Sequence, residues 1–231
     1  MPTEIARGIQ ATLILAMSAD GKIADVGRSP ARFGSPHDKA HLENQVALAD
    51  AVIFGAGTLR AYGTTIRVIS PSNLKLREAL GKPPQPIQIV VSRRGEFDPQ
   101  LKFFSQPIPR WLITTQEPIA INNTQLFTKV IIAPKSPEII WKQVFAQLNV
   151  LGIKKLVILG GGELVAALLQ ENLIDEFWLT LCPVILGGKS APTPVDGLGL
   201  LNKLELQLVE TKTIDSEIFL HYRFLKSGAD V

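Results

Sequence analysis

Short runs of apolar, largely β-branched residues recur along the first two thirds of this chain, at residues 11–17, 51–54, 87–92, 111–115, 130–133 and 156–159. Most are continuous rather than alternating, so they predict strands covered on both faces, as the strands of a parallel sheet are. Helical patterns separate them. Ser35, Pro36 and Asp38 supply an N-cap, a proline at the first helical position and a capping-box carboxylate for a helix running to residue 49. Ser136 and Pro137 open a second helix, with Ile140, Val144, Leu148 and Leu151 near helical spacing and Gly152 as its stop. A third begins in the turn at Gly160 and carries Leu164, Ala167, Leu168 and Glu171. Residues 177–186, 204–211 and 217–225 read instead as strands with no helix between them, the last two pairing antiparallel across Asp215 and Ser216. The expected architecture is α/β, a helix-covered and mostly parallel sheet with an antiparallel C-terminal edge. Strand patterns continue on both sides of residues 68–86, so that Pro- and Ser-rich stretch reads as an exposed insertion within a single domain spanning 1–231.

With 46% apolar and 19% charged residues, the chain can bury a sizeable core. Its net charge is only +3, and the Lys and Arg residues are scattered, which argues against a nucleic-acid partner. The N-terminus lacks the layout of a signal peptide, and no apolar run approaches the roughly 20 residues that cross a bilayer. A cytoplasmic protein without membrane contact is expected. Cys182 is the only cysteine, so an internal disulfide and a Cys-rich metal site are both excluded. Cys182 reads as a buried thiol, and Trp111, Trp141 and Trp178 as core. His37 and His41 stand four apart on one helix, the spacing of a metal pair, yet no acidic context accompanies them and a solvated face is the simpler reading. No metal is expected. His221 falls within the last strand and reads as structural.

Two segments share one design. An apolar strand runs into Gly55-Ala56-Gly57-Thr58, and another into Gly160-Gly161-Gly162-Glu163. Glycine lets the backbone approach a ligand closely, and the free amides of a following helix start favour phosphate oxygens. In an open α/β sheet ligands collect at the carboxyl ends of strands, where both turns belong. Neither turn is a Rossmann fingerprint: Arg60 stands where the third glycine would be, and the first strand leads into no glycine-rich turn. A P-loop is absent as well. Ser18-Ala19-Asp20-Gly21-Lys22 follows the first strand and reads as a turn of its own.

In chain order come the turn at 18–22, the Gly-x-Gly-Thr turn, the three-glycine turn, Leu173-Ile174-Asp175-Glu176-Phe177, and the stretch from Pro183 to Gly188. This set resembles the pyrimidine reductases of riboflavin biosynthesis, the reductase half of bifunctional riboflavin deaminase-reductases, which are relatives of dihydrofolate reductase. The resemblance covers nearly the whole chain. It implies a three-layer, dihydrofolate-reductase-like fold, a homodimer, and NADPH-dependent reduction of a ribosylamino-pyrimidine 5′-phosphate to its ribitylamino form, of the 5-amino-6-(5-phosphoribosylamino)uracil reductase type. Hydride would pass from the cofactor to the sugar C1. Carried over by motif, Gly55, Gly57, Thr58, Gly160, Gly161, Gly162, Glu163 and Leu164 would hold the pyrophosphate and nicotinamide side. Ser92, Arg93 and Arg94 would contact the ribose and 2′-phosphate, and Thr114 would lie near the adenine. Asp20 and Lys22 would be catalytic, and Asp20, Ser29 and Leu159 would line the substrate side. The resemblance further implies a cis Gly–Gly bond within residues 160–162.

Three positions depart from the family pattern. Tyr62-Gly63-Thr64 stands where the family has Asp-Asp-Pro, Leu159 where it has Glu, and Val46 where it has an Arg in the first helix. All three belong to the family's substrate side. They leave open a related oxidoreductase acting on another heterocycle or carbonyl, and a nucleotide-binding regulator without catalysis. The hydrophobic C-terminal strands are the expected dimer surface.

Overall fold

The computed structural model describes residues 8–115, 124–135 and 138–225. Nine strands form one sheet: β1 (Gln10–Ser18), β2 (Ala51–Gly55), β3 (Ile87–Val91), β4 (Arg110–Thr114), β5 (Lys129–Ile132), β6 (Lys155–Ile158), β7 (Glu176–Cys182), β8 (Leu206–Ile214) and β9 (Glu217–Phe224). Their order across the sheet is β5-β4-β3-β2-β6-β1-β7-β9-β8. The first seven in that order run parallel; β9 pairs antiparallel with β7 and with β8. The helices are α1 (Pro36–Leu48), α2 (Ala56–Tyr62), α3 (Pro71–Ala79), α4 (Lys102–Ser105), α5 (Trp141–Val150) and α6 (Gly162–Gln170). This is the mostly parallel sheet with an antiparallel edge that the apolar runs predict.

Two cores flank the sheet because strand side chains alternate. In β2, Ala51 and Ile53 enter the core shared with α5 and α6, whereas Val52 and Phe54 enter the core shared with α1, α2 and α4. Each fully buried Val, Ile or Phe stabilises the fold by about 1.5–3 kcal/mol relative to exposure, which is why both faces of the parallel strands are apolar. Trp111 and Trp141 lie in the α5/α6 core, and Trp178 packs against the opposite one.

Several expectations need correction. The segment 68–86 is exposed at most positions but anchored to the domain. Val68, Asn73 and Arg77 are buried, and Arg77 donates to the carbonyls of Ala47, Ala49 and Pro83, so α3 closes the C-terminal end of α1. The strand from residue 177 stops at Cys182, before Pro183. Helix α5 starts at Trp141 with Ile140 as its N-cap, while Ser136 and Pro137 lie outside the described residues. At α1, Ser35 Oγ accepts from the His37 and Asp38 amides as a cap should. The reciprocal half of the box is absent: the Ser35 amide donates to Glu217 Oε1 at 2.8 Å. A carboxylate from β9 takes the bond that Asp38 was expected to make.

Candidate active site

All seven parallel strands end on one edge of the sheet. Between β2 and β6 the chain changes sides: β2 leads to α2 on one face, and β6 leads to α6 on the other. Such a switch point opens a crevice at the strand ends. The two glycine turns flank it, and they touch. The Gly55 amide donates to the Gly160 carbonyl at 2.9 Å. Thr58 Oγ1 lies 3.7 Å from where a Cβ on Gly161 would stand. The Gly160–Gly161 bond is cis, as the resemblance implies, and Gly160 has φ +86°. Gly161 is the N-cap of α6 and offers no side chain, so the first-turn amides are not satisfied by a cap. Gly162 packs against the 193–196 loop, its carbonyl accepting from the Asp196 amide at 3.2 Å.

A cleft of about 1530 Å³ runs over this edge. Ligand pockets are typically 300–1,000 Å³, so this one has room for a dinucleotide and a second molecule together. It is lined by Thr58, Ser92, Arg93, Arg94, Glu163 and Leu164. The lobe toward α1 is lined by Ile14, Ala16, Asp38, Leu42, Phe54 and Leu159. Arg28, Arg32, Lys39 and Arg60 add positive charge to the cleft walls. Ser29 and Tyr62 line the cleft too, with the Tyr62 hydroxyl donating to the Ala31 carbonyl at 3.1 Å.

Most of the residues carried over for the cofactor therefore meet along one wall. Gly55, Gly57, Thr58, Gly161, Gly162, Glu163 and Leu164 line it directly, and Gly160 supplies its hydrogen-bonded backbone. Ser92 Oγ accepts from the Gly95 amide at 3.1 Å and shapes the turn that presents Arg93 and Arg94. Thr114 is different. It is fully buried, outside the cleft lining, and its hydroxyl donates to the Arg93 carbonyl at 3.3 Å. It braces the arginine turn from behind.

Asp20 and Lys22 also lie outside the lining. Asp20 accepts from Ser18 Oγ at 2.6 Å and from the amides of Leu186 and Gly187 at 3.0 and 2.7 Å. The Ser18 hydroxyl, followed by the Leu186 amide, draws its pKa down to about 2, so it is ionised throughout the neutral range. This carboxylate ties the loop after β1 to the loop after β7. Val46 is fully buried in the α1 core, so the face of α1 toward the cleft is Asp38, Lys39 and Leu42, not Val46. Asp38 escaped sequence reasoning because its position three residues after a serine cap has a sufficient local explanation. Arg60 registered only as a misplaced third glycine.

Around Asp38 the side chains are close-knit. Glu217 accepts from Ser35 Oγ at 2.5 Å and from Cys182 Sγ at 3.6 Å. Burial, reinforced by Glu217 and Asp38, pushes the Cys182 thiol up to about 12, in keeping with an inert buried thiol. His41 packs against Trp178 and Phe219, with ring centroids 4.7 and 5.5 Å away, while His37 Nε2 sits 3.5 Å from Asp215. His221 stacks on Trp178 at 4.0 Å. Among the described residues, no three His, Cys, Asp or Glu side chains gather as metal ligands, and no helix is long and apolar enough to cross a membrane.

Residues 11–220 match the family described as the RibD C-terminal domain. The chain belongs to this family. Among RibD-type relatives, the 2,5-diamino-6-ribosylamino-4(3H)-pyrimidinone 5′-phosphate reductase of Archaeoglobus fulgidus is 27% identical over 204 residues, covering 85% of this chain and 90% of that protein. Its counterpart in Methanothermobacter thermautotrophicus is 24% identical, covering 90% and 94%. Among solved structures, a pyrimidine reductase-like protein from Corynebacterium diphtheriae superposes with a TM-score of 0.81 at 23% identity, over 95% of this chain and 93% of that one. That likeness supports the RibD-type fold built above.

Proposed function

We propose that this chain reduces a ribosylamino-pyrimidine 5′-phosphate to its ribitylamino form in riboflavin biosynthesis, with NADPH as the reductant. The observation that carries the reading is the junction of the two glycine turns at the switch point, in a cleft whose walls carry Arg28, Arg32, Lys39 and Arg60. Glycine backbone and the uncapped start of α6 suit a pyrophosphate, and the exposed Arg93 and Arg94 suit a 2′-phosphate, which favours NADPH over NADH. The cofactor would supply the hydride; the protein's share is to align it with the sugar C1 and to exclude competing reactions. Arg28, Arg32, Lys39 and Arg60 offer charge for the substrate phosphate. Two relatives of similar length, from A. fulgidus and M. thermautotrophicus, carry the name of this activity. A cytoplasmic homodimer that pairs through its C-terminal strands belongs to the same proposal.

The test is NADPH oxidation with the diaminopyrimidinone ribosylamino phosphate, and in parallel with the corresponding aminouracil. Turnover of either supports the reading. Tight NADPH binding without turnover of either would remove it and leave the second one. That second reading, a reductase for another heterocycle, is favoured by Tyr62 and Leu159, which line the substrate lobe where the family pattern has carboxylates.

A further inference from the structure

We propose that Asp38 is the proton donor of the reduction, a catalytic acid set in the wall of the substrate lobe. The proposal rests on the reductase reading above. Its starting point is a carboxyl that local structure does not use. Asp38 stands at the third position of α1, where a capping box would turn it back to the Ser35 amide, but that amide is committed to Glu217. Asp38 instead faces the cleft, near enough to Thr180 of β7 for that hydroxyl to favour its charged form. Its Oδ2 fills the space that a Cβ on Gly34 would take, so the carboxyl packs directly on a glycine backbone.

The location suits the chemistry. Thr180 pairs with Ala16 across β1, and β1 separates β7 from β6, the strand that ends in Gly160. Strands lie about 4.8 Å apart, so Thr180 and the glycine turn are separated by roughly 10 Å along the edge. A planar heterocycle with its sugar can lie between them, over Ala16, with the cofactor wall on one side and Asp38 on the other. In the ring-opened substrate the sugar C1 and the bridging nitrogen form an imine. Reduction places a hydride, with its electron pair, on C1 and one proton on nitrogen. The C=N π bond is lost, a C–H and an N–H bond form, and the nicotinamide is left oxidised. Asp38 gives up the proton and regains one from water. Burial raises its pKa, opposed by the Thr180 hydroxyl and aided by the Glu217 charge, which favours the acid form. The groups facing it are Glu217 from β9, Thr180 and Cys182 from β7, and Tyr62 from α2, with Arg32 beside Tyr62 and Lys39 next along α1.

The decisive variant is Asp38→Asn, which keeps size and removes the proton. Its kcat should fall by about a hundredfold or more, while NADPH affinity and melting temperature hold. In the wild type kcat should decline as pH rises through the Asp38 pKa, and the variant should lack that limb. Thr180→Val removes the hydroxyl that favours the charged form, so the Asp38 pKa rises and the limb moves to higher pH; a purely structural role would not shift it. Carbon NMR of the Asp38 carboxyl in the cofactor-free protein gives an independent reading. Titration above the ordinary aspartate value supports the proposal. An ordinary value, an unmoved limb in Thr180→Val, or an Asp38→Asn kcat within about threefold of wild type overturns it. Wild-type protein that turns over neither pyrimidine substrate would remove the substrate reading instead, and the NMR titration would still decide the acid.

Discussion

Two glycines in the cofactor wall make different demands, and substitution separates them. Around Gly57 nothing lies within 4 Å of an added Cβ, and the residue occupies the first turn of α2. Alanine there should leave stability unchanged or raise it by up to about 1 kcal/mol, because helical glycine carries an entropic penalty. If the cofactor backbone passes over this turn as proposed, the same methyl should weaken NADPH binding about tenfold or more. At Gly162 a Cβ would stand 2.6 Å from the Thr193 carbonyl oxygen, a backbone atom that cannot swing aside. Gly162→Ala should therefore lower stability itself, by about 1–3 kcal/mol as overpacking does. Thermal melts and NADPH fluorescence titration on both variants check this. A Gly57→Ala protein that binds NADPH like wild type would place the cofactor elsewhere. The same scale shows where sequence reading stops. The glycine turns were legible because their chemistry is local, a strand end followed by residues without side chains. The role of Asp38 was not, since it depends on Glu217, 182 residues away from Ser35 in the chain.

At the scale of elements, one aspartate joins three strands at the edge opposite the cleft. Asp50 Oδ2 accepts from the Lys154 and Lys155 amides at 2.9 and 2.8 Å, at the start of β6, and Oδ1 pairs with Lys82 ahead of β3. Burial works to raise its pKa, but the Lys82 hydrogen bond and the two amides prevail and hold it low. The sign of the pH dependence follows. Unfolded Asp50 takes up a proton near pH 3.8, before the folded form does, so its contribution is complete above that value and fades as pH falls through and below it. Asp50→Asn should cost about 1–3 kcal/mol near pH 7 and distinctly less near pH 3, by urea denaturation. An equal loss at both values would show that the charge is immaterial. Strand positions were readable without such detail, because a strand buried on both faces is mostly apolar, and the middles of β2, β4 and β6 are, with the buried Gln88 the polar exception inside β3. The boundaries that shifted depend on partners. Segment 68–86 read as an exposed insertion because two of its buried residues are polar: Arg77 satisfies carbonyls near the end of α1, and Asn73 reaches Glu43 and Asn44.

On the scale of the whole molecule, the helical layers stop short of one end of the sheet. Strand β8 is exposed at eight of its nine residues and hydrogen-bonds a neighbour, β9, on one side only. A strand with a covered face would show alternating burial; here Leu206, Leu208 and Val209 are 40%, 50% and 45% exposed. An uncovered edge strand with apolar residues is a template for association, and a two-fold pairing of identical copies covers it without leaving a new edge open. The proposed homodimer places its interface here, far along the sheet from the β2/β6 switch point, so that pairing leaves the cleft accessible. Sedimentation equilibrium should give twice the chain mass at micromolar concentration, and the melting temperature should rise with protein concentration, as it does where association stabilises the fold. Leu208→Lys sets two like charges near the two-fold axis and should weaken the dimer by about tenfold or more. A monomer at tens of micromolar in the wild type would sink the interface. A dimer untouched by Leu208→Lys would move it to another face, and β8 would then need a different cover for its exposed Leu206, Leu208 and Val209.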